Sequence, residues 1–387
     1  MALKVVILAA GKSTRMKSDT PKVLHKVAGV ALLRWVLEQA YALEPEQIVV
    51  VVGHESDRVR KAFADYPKIA FVTQEPQQGT GHAVMQAKAQ LAGFAGDVAV
   101  LCGDVPLTRV ETLKALRAAH AGHAATVLTT ELDKPGSYGR IVRDADGRVS
   151  AIVEAKDLKR GQDRIREINS GTYIFEAPAL LACLDKLTTN NAQGEYYLTD
   201  VIHLLAAQGK PVSAHLCEDS REVLGVNTRK DLAQCDVIAR ERVAEALMLN
   251  GVTILDPANT YIEAGVEIGR DTTVYPFTAI HAGVVIGDHC KIQNGISIYH
   301  GVTLEDGVFL GPHMVFTNDL RPRAINPDGS LKGGADWVVS ETHIGRGASV
   351  GAGAVIVCGV TIGAWAMVGA GAVVTRDVPA HGLVYGN

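Results

Sequence analysis

Residues Leu8 to Met16 read LAAGKSTRM, and the embedded GKST is the tail of the commonest phosphate-cradling signature. A P-loop needs a further glycine five residues before the one that precedes its lysine, so that bare backbone amides can curl around a β-phosphate. Val6 stands at that place, inside the apolar run VVIL, and a β-branched residue belongs to a strand. The P-loop reading drops out, and the phosphate question passes to whatever else surrounds this turn. Thiolate metal chemistry is also disfavoured. The six cysteines, Cys102, Cys183, Cys217, Cys235, Cys290 and Cys358, are scattered without a CxxC pair and mostly in apolar surroundings. That pattern fits reduced thiols and neither a disulfide framework nor a zinc site.

The elements that must carry this chemistry fall into two regimes. The chain has 387 residues, room for two or three domains. Its formal net charge of −4 gives no electrostatic reason to expect nucleic acid or a membrane surface as partner. The opening MALK runs straight into an apolar segment, and no window approaches the roughly 20 apolar residues of a membrane span, so a cytoplasmic protein is expected. From residue 1 to 229, apolar runs such as KVVILAA, QIVVVVG and DVAVLCGD alternate with helical patterns. Apolar runs without polar alternation are strands covered on both faces, hence a mostly parallel sheet in an α/β nucleotide-binding domain of Rossmann-like type. Residues 230–250 carry apolar positions at helical spacing, Leu232, Val237, Val243 and Leu247, and predict one connecting helix.

From 251 to 387 the period becomes six. Ile262, Ile268, Val274, Ile280, Ile286, Ile292, Ile298, Leu304, Leu310 and Phe316 follow one another at six-residue steps, and the ladder resumes in a new phase at Ile344, Val350, Ile356, Ile362, Val368 and Val374. A second column two residues earlier holds Val266, Val284, Ile296 and Val302. Hexapeptide repetition marks a left-handed parallel β-helix with one apolar residue per flat face and about 18 residues per coil. Residues 317–342 lie outside the repeat and should leave the prism as a loop, where such scaffolds place ligand contacts.

The full opening stretch, LAAGKSTRMKSDTPKVLHKVAGV, resembles the sugar nucleotidyltransferase signature, with its Gly-x-Ser-Thr-Arg-Met followed by Pro-Lys. QEPQQGTGHAV, VLCGDVPL, SYGRIV, IVEAKD, EINSGTYIF, EYYLTDVI and LGVNTRKDL then match, in order, one subfamily, the N-acetylglucosamine-1-phosphate uridylyltransferases. The resemblance implies that the turn of Leu8, Ala9, Ala10 and Gly11 approaches a triphosphate while Arg15 and Lys22 bring cations to it, with Lys12 a solvated loop residue. It implies Gln74, Gly79 and Thr80 around the uracil. Gly139, Glu154, Asn169 and Asn227 would lie around the amino-sugar. Asp104 and Asn227 are the implied ligands of Mg²⁺, an ion that keeps waters and takes substrate phosphates as its other ligands. Cys102 departs from the tyrosine or other bulky residue that the subfamily commonly carries before Gly-Asp.

Bifunctional members of that subfamily continue into a β-helix that acetylates glucosamine-1-phosphate, and the resemblance to them extends to about residue 280. From about residue 285 the chain is similar instead to hexapeptide N-acetyltransferases of nucleotide-linked amino sugars, through CKIQNGISIYHGVTLEDGVFLGPHMVFTNDLRPRA and ASVGAGAVIVCGVTIGAWAMVGAGAVVTRDVPAHGLVYGN. Members of that branch usually continue beyond VYGN with Pro-Ala and a short tail. The similarity implies acetyl-CoA as co-substrate, Asn318 beside the acceptor's amino group, His313 as base, and a homotrimer with sites between neighbours. The expected protein is thus a Mg²⁺-dependent enzyme joining UTP and an N-acetylhexosamine-1-phosphate, fused to an N-acetyltransferase acting on an amino-sugar acceptor. Two alternatives stay open: a β-helix that only trimerises the enzyme, and a different nucleotide or sugar phosphate in the first domain.

Overall fold

A computed structural model describes residues 1–11, 14–53, 56–332 and 336–386, so Lys12 and residues 333–335 of the expected loop lie outside the described residues. Two compact units result, Met1–Cys235 and Asp236–Asn387, and the division falls within one helix, Arg229–Leu249.

The first unit is built on strands β1 (Leu3–Ala9), β4 (Gln47–Val52), β5 (Ile69–Thr73), β6 (Asp97–Cys102), β7 (Ala125–Glu131), β10 (Glu167–Glu176) and β11 (Val212–Leu216), in the spatial order 11-7-10-6-1-4-5. A small hairpin, β2 (Lys26–Val27) with β3 (Val30–Ala31), and a second one, β8 (Arg140–Arg143) with β9 (Val149–Val153), flank the sheet. The apolar runs behave as their composition demands. Val5 and Ile7 are fully buried in one core, Val6 in the other, so β1 is covered on both faces. β1 pairs in parallel with β4 and β6, and β4 with β5. Antiparallel pairing enters this sheet in the β8–β9 hairpin and at β10, which runs antiparallel to β6, β7 and β8. Its ten residues carry a register shift between Asn169 and Tyr173, where Ser170 Oγ donates to Leu128 O (2.7 Å) and pins the excursion.

In the second unit, strands β12 (Thr253–Ile254) through β29 (Leu383–Val384) are two or three residues long and stack in parallel on three faces. The ladder residues point inward, all but Ile268 buried. The corner residues form a further column with positive φ at six-residue steps: Gly265, Asp271, Phe277, Gly283, His289, Gly295, Gly301, Gly307 and His313. A corner that turns this tightly takes the left-handed backbone conformation whatever the residue, which is why hydropathy alone does not reveal it. β22 (Val315–Phe316) ends just before the break in the repeat and β23 (Thr342–Ile344) restarts the coil, pairing with β20 (Val302–Leu304). On the Arg229–Leu249 helix, Val237 is 45% exposed, whereas Cys235, Ile238, Ala239 and Leu247 carry the buried face.

Candidate active site

The carboxyl ends of β1 and β6 open onto a cleft of about 1020 Å³, lined by Leu8, Ala9, Ala10, Gly11, Lys22, Gln74, Gly79, Thr80, Cys102 and Asp104. Parallel strands place their C-terminal turns together, and ligands of open α/β sheets bind outside those ends. Gly103 holds the two turns in contact: its N–H donates to Leu8 O at 2.9 Å, and a Cβ there would meet that oxygen at 3.1 Å.

Lys22 follows Pro21 in a short 3-10 turn, and its ammonium donates to Asp104 Oδ2. The same ammonium lies 3.4 Å from Asn227 Oδ1, which also accepts from Arg15 Nη2 at 2.9 Å. The place a Cβ on Gly11 would occupy is 3.8 Å from Lys22 Nζ, so the ammonium faces the β1 turn as well. Asn227 is positioned by the start of the Arg229–Leu249 helix. Asp231 Oδ2 accepts from the Asn227 and Thr228 amides (3.0 and 2.8 Å), while Thr228 Oγ1 accepts from Asp231 N (3.2 Å), a reciprocal capping box. Val226 N donates to Asp104 O at 2.9 Å and ties this cap to the β6 turn.

The QEPQQGTG stretch forms the far wall. Gln74 is 4% exposed, and its Nε2 donates to Gly79 O at 2.9 Å. Gly79 precedes α3 (Thr80–Gln86) at φ 101, and a Cβ there would lie 2.6 Å from Tyr196 O. Thr80 Oγ1 accepts from Leu198 N at 3.1 Å, so the EYYLTD segment supports this wall. Gln77, which the sequence reading passed over although it lies within the quoted stretch, donates through Nε2 to Ala10 O, and its buried Oε1 has no partner among the described residues.

Gly139, Glu154 and Asn169 converge nearby. A Cβ on Gly139 would stand 3.6 Å from both Asn169 Cβ and Glu154 Oε2. Burial pushes the Glu154 carboxyl above its ordinary range, against a hydrogen bond from Thr199 Oγ1 (3.1 Å) that favours the ionised form. Asn169 is held by Tyr173 and Gly171, neither of which the motifs singled out as a site residue. Cys102, at the end of β6, donates to Gly171 O at 3.4 Å, and its thiol is pushed up to about 12, first by burial and then by Asp104. The structure therefore gathers Arg15, Lys22, Asp104 and Asn227 in one group and Gly139, Glu154 and Asn169 in another.

In the second unit, His313 is an exposed corner residue at φ 57 whose Nε2 lies 3.2 Å from Asn294 Nδ2, and its ring covers Gly295. Asn318 is half-buried two residues beyond β22, where the chain leaves the coil. Among the described residues no hydrogen bond joins His313 to Asn318. Imidazole–carboxylate pairs occur elsewhere in the unit: His343 Nε2 lies 2.9 Å from Glu305 Oε1, and Glu263 Oε2 lies 3.4 Å from His281 Nδ1 and accepts from Ala282 N (2.9 Å), while Glu263 Oε1 accepts from Tyr261 Oη (3.2 Å). These bonds hold the Glu263 carboxyl down at about 2, and the His281 ring stacks on Tyr299. Among the described residues no helix is long and apolar enough to cross a membrane.

A Rossmann-like sheet with this cleft, followed by a hexapeptide prism, defines a nucleotidyltransferase domain joined to a transferase-type β-helix. The MobA-like NTP transferase domain family matches residues 5–172, the bacterial transferase hexapeptide residues 341–376, and the hexapeptide repeat of succinyl-transferase residues 278–300. The bifunctional protein GlmU of Geobacter metallireducens is 48% identical over 304 residues, covering 78% of this chain and 64% of that protein. The GlmU of Streptococcus equi subsp. zooepidemicus is 41% identical over 381 residues, covering 91% and 82%. The chain belongs to the bifunctional GlmU family. The match spans less than two thirds of the Geobacter relative's length. Among solved structures, a putative glucose-1-phosphate thymidylyltransferase from Bacillus anthracis (TM-score 0.52, 17% identity, 62% of this chain and 96% of that one) shares the fold. So does a UDP-glucose pyrophosphorylase (TM-score 0.51, 17% identity, 62% and 100%).

Proposed function

We propose that the first unit is a Mg²⁺-dependent uridylyltransferase that joins UTP to an N-acetylhexosamine-1-phosphate with release of pyrophosphate. The observation that carries this reading is the juxtaposition of Lys22 and Arg15 with Asp104 and Asn227 at the mouth of the cleft. The oxygen pair fits Mg²⁺. One cation, the Lys22 ammonium, already touches Asp104 while lying 3.4 Å from Asn227 Oδ1, so an ion at that place meets two hard oxygens. Among the described residues no group of three or more His, Cys, Asp or Glu is placed to hold a metal ion, which leaves the other coordination positions to water and phosphate, as Mg²⁺ prefers. Bound there, Mg²⁺ supplies charge neutralisation on the triphosphate.

The residues of the chain supply position and charge. The amides of Ala10 and Gly11 and the Lys22 ammonium face the triphosphate, with Arg15 beside Asn227. Lys22 exchanges Asp104 for a phosphate oxygen when the cleft is loaded. Gln74, Gly79 and Thr80 hold the uracil, and a wall whose polar groups are dedicated to one base discriminates strongly against others. Gly139, Glu154 and Asn169 hold the sugar so that its phosphate oxygen attacks the α-phosphorus in line with departing pyrophosphate. The sugar phosphate is already an anion at neutral pH, so no covalent enzyme intermediate is needed.

The second unit, on this proposal, is an acetyl-CoA-dependent N-acetyltransferase of amino-sugar acceptors, working as a homotrimer, with Asn318 beside the acceptor amine and His313 as base. Amide formation requires a neutral amine, and His313, whose Nε2 lies 3.2 Å from Asn294 Nδ2, is the imidazole this reading assigns to take the amine's proton.

Pyrophosphate release measured across a panel of nucleoside triphosphates and sugar phosphates tests the first claim; weak activity with UTP and N-acetylglucosamine-1-phosphate overturns it. Release of free CoA thiol with glucosamine-1-phosphate and with UDP-amino-sugars tests the second. Silence from every acceptor reduces the β-helix to a trimerising scaffold.

A further inference from the structure

The side chain of Asn169, which the proposed function assigns to the sugar, has its amide orientation decided by Gly171 and Tyr173. Gly171 N donates to Asn169 Oδ1 at 3.0 Å, and a backbone N–H can only donate, so the oxygen of the amide must point there. Asn169 Nδ2 then donates to Tyr173 Oη at 2.7 Å. Residues four apart on a regular strand stand about 13 Å apart. The register shift of β10 between them, pinned through Ser170, is the departure from a regular strand that accompanies their meeting. Gly171 sits at φ 82 within this excursion, and a Cβ there would come 2.9 Å from Cys102 Sγ, so the backbone path closes tightly on the β6 end. Tyr173 itself is 3% exposed and stacks on Phe175, which leaves its hydroxyl little freedom to leave Asn169.

We infer that Tyr173 is a positioning residue for the sugar subsite: with Gly171 it fixes the Asn169 amide so that Nδ2, with one N–H to spare, is the group presented to substrate beside the Glu154 carboxylate. This rests on the uridylyltransferase reading above and adds the rule by which the subsite selects. Asn169 has one N–H left after serving Tyr173, and Glu154 has one oxygen, Oε2, beyond the one that Thr199 serves. A substrate must therefore bring an acceptor to Asn169 and a donor to Glu154. An acylated amine next to a hydroxyl brings both, through its carbonyl oxygen and the hydroxyl proton. An unacylated ammonium lacks that carbonyl and sets its own N–H groups against the Asn169 N–H, a donor-to-donor mismatch that disfavours binding.

The test is the Tyr173→Phe variant of the full chain, which keeps the ring and its stacking and removes only the hydroxyl. Expected are a five- to tenfold rise in KM for N-acetylglucosamine-1-phosphate, an unchanged KM for UTP, and a fall of similar size in the preference for that substrate over glucosamine-1-phosphate. Thermal unfolding is followed in parallel, because a merely structural tyrosine would lower stability without moving the preference. An unchanged preference in an active, folded variant overturns the inference. A wild-type chain inert toward UTP with N-acetylglucosamine-1-phosphate overturns the parent reading instead, so the two failures are distinguishable.

Discussion

Lys22 Nζ donates to Asp104 Oδ2 across 82 residues of sequence, joining the turn after β1 to the turn after β6 through an ion pair whose side chains are only 13% and 23% exposed. On the proposed function, this cation and anion pass to two different partners once the cleft is filled: the lysine to phosphate, the aspartate to a metal ion.

Removing either should therefore stop the chemistry and not the fold. Lys22→Ala and Asp104→Ala should each lower pyrophosphate release by about a hundredfold or more. Free CoA thiol release, which the proposed function assigns to the second unit, should continue. Loss of both activities together in a folded variant would show the two units to be coupled.

Glu154 carries a sign that can be checked. Burial raises its folded-state pKa above the ordinary 4.5, so the stability it contributes is fully present below 4.5 and is lost as pH rises through the raised value. Glu154→Gln should melt at least as high as the wild type at pH 7. That advantage should vanish below pH 4.5, while KM for the sugar phosphate rises. A variant that melts lower than the wild type at pH 7 and equally at pH 4 would show the opposite sign and remove the argument.

Glu263 has the reverse sign. The hydrogen bonds from His281, Ala282 and Tyr261 bring its pKa from 4.5 to about 2, so its contribution is present above 4.5 and lost as pH falls toward 2. Thermal unfolding of the full chain should weaken across that window in the wild type. In Glu263→Gln the same window should be flatter, from a lower stability at pH 6.

Gly79 tests the base wall. At φ 101, with a Cβ meeting Tyr196 O at 2.6 Å, Gly79→Ala faces both backbone strain and a backbone clash. It should destabilise the first unit by about 1–3 kcal/mol and raise KM for UTP more than for the sugar phosphate. An unaltered KM for UTP would place the base elsewhere.

Much of the architecture was legible because it is written in local periodicity. An apolar run such as VVIL has nowhere to go except a strand covered on both sides, and Val5 and Val6 are indeed buried in opposite cores. The six-residue ladder from Ile262 to Phe316 specifies a prism coil by coil, because each coil's apolar residue stacks on the one 18 positions before it. The antiparallel placement of β10 was not legible, since its sequence pairs as well in either direction. The exposure of Val237 on the long helix was not either: which stripe is buried depends on the surface it meets.

The sequence by itself determined which residue types stand at the candidate site: Gly11, Lys22, Gly79, Asp104, Glu154, Asn169 and Asn227 all lie in motifs short enough to read. Only the tertiary structure decided their partners. Asn227 meets Arg15 and Lys22, and Asn169 answers to Tyr173 across a register shift beside which Ser170 bonds Leu128. The physical reason is the difference in range. Periodicity and turn chemistry act between residues a few positions apart, whereas the orientation of an amide or the neighbour of an ammonium is fixed by contacts such as the one that closes 82 residues between Lys22 and Asp104.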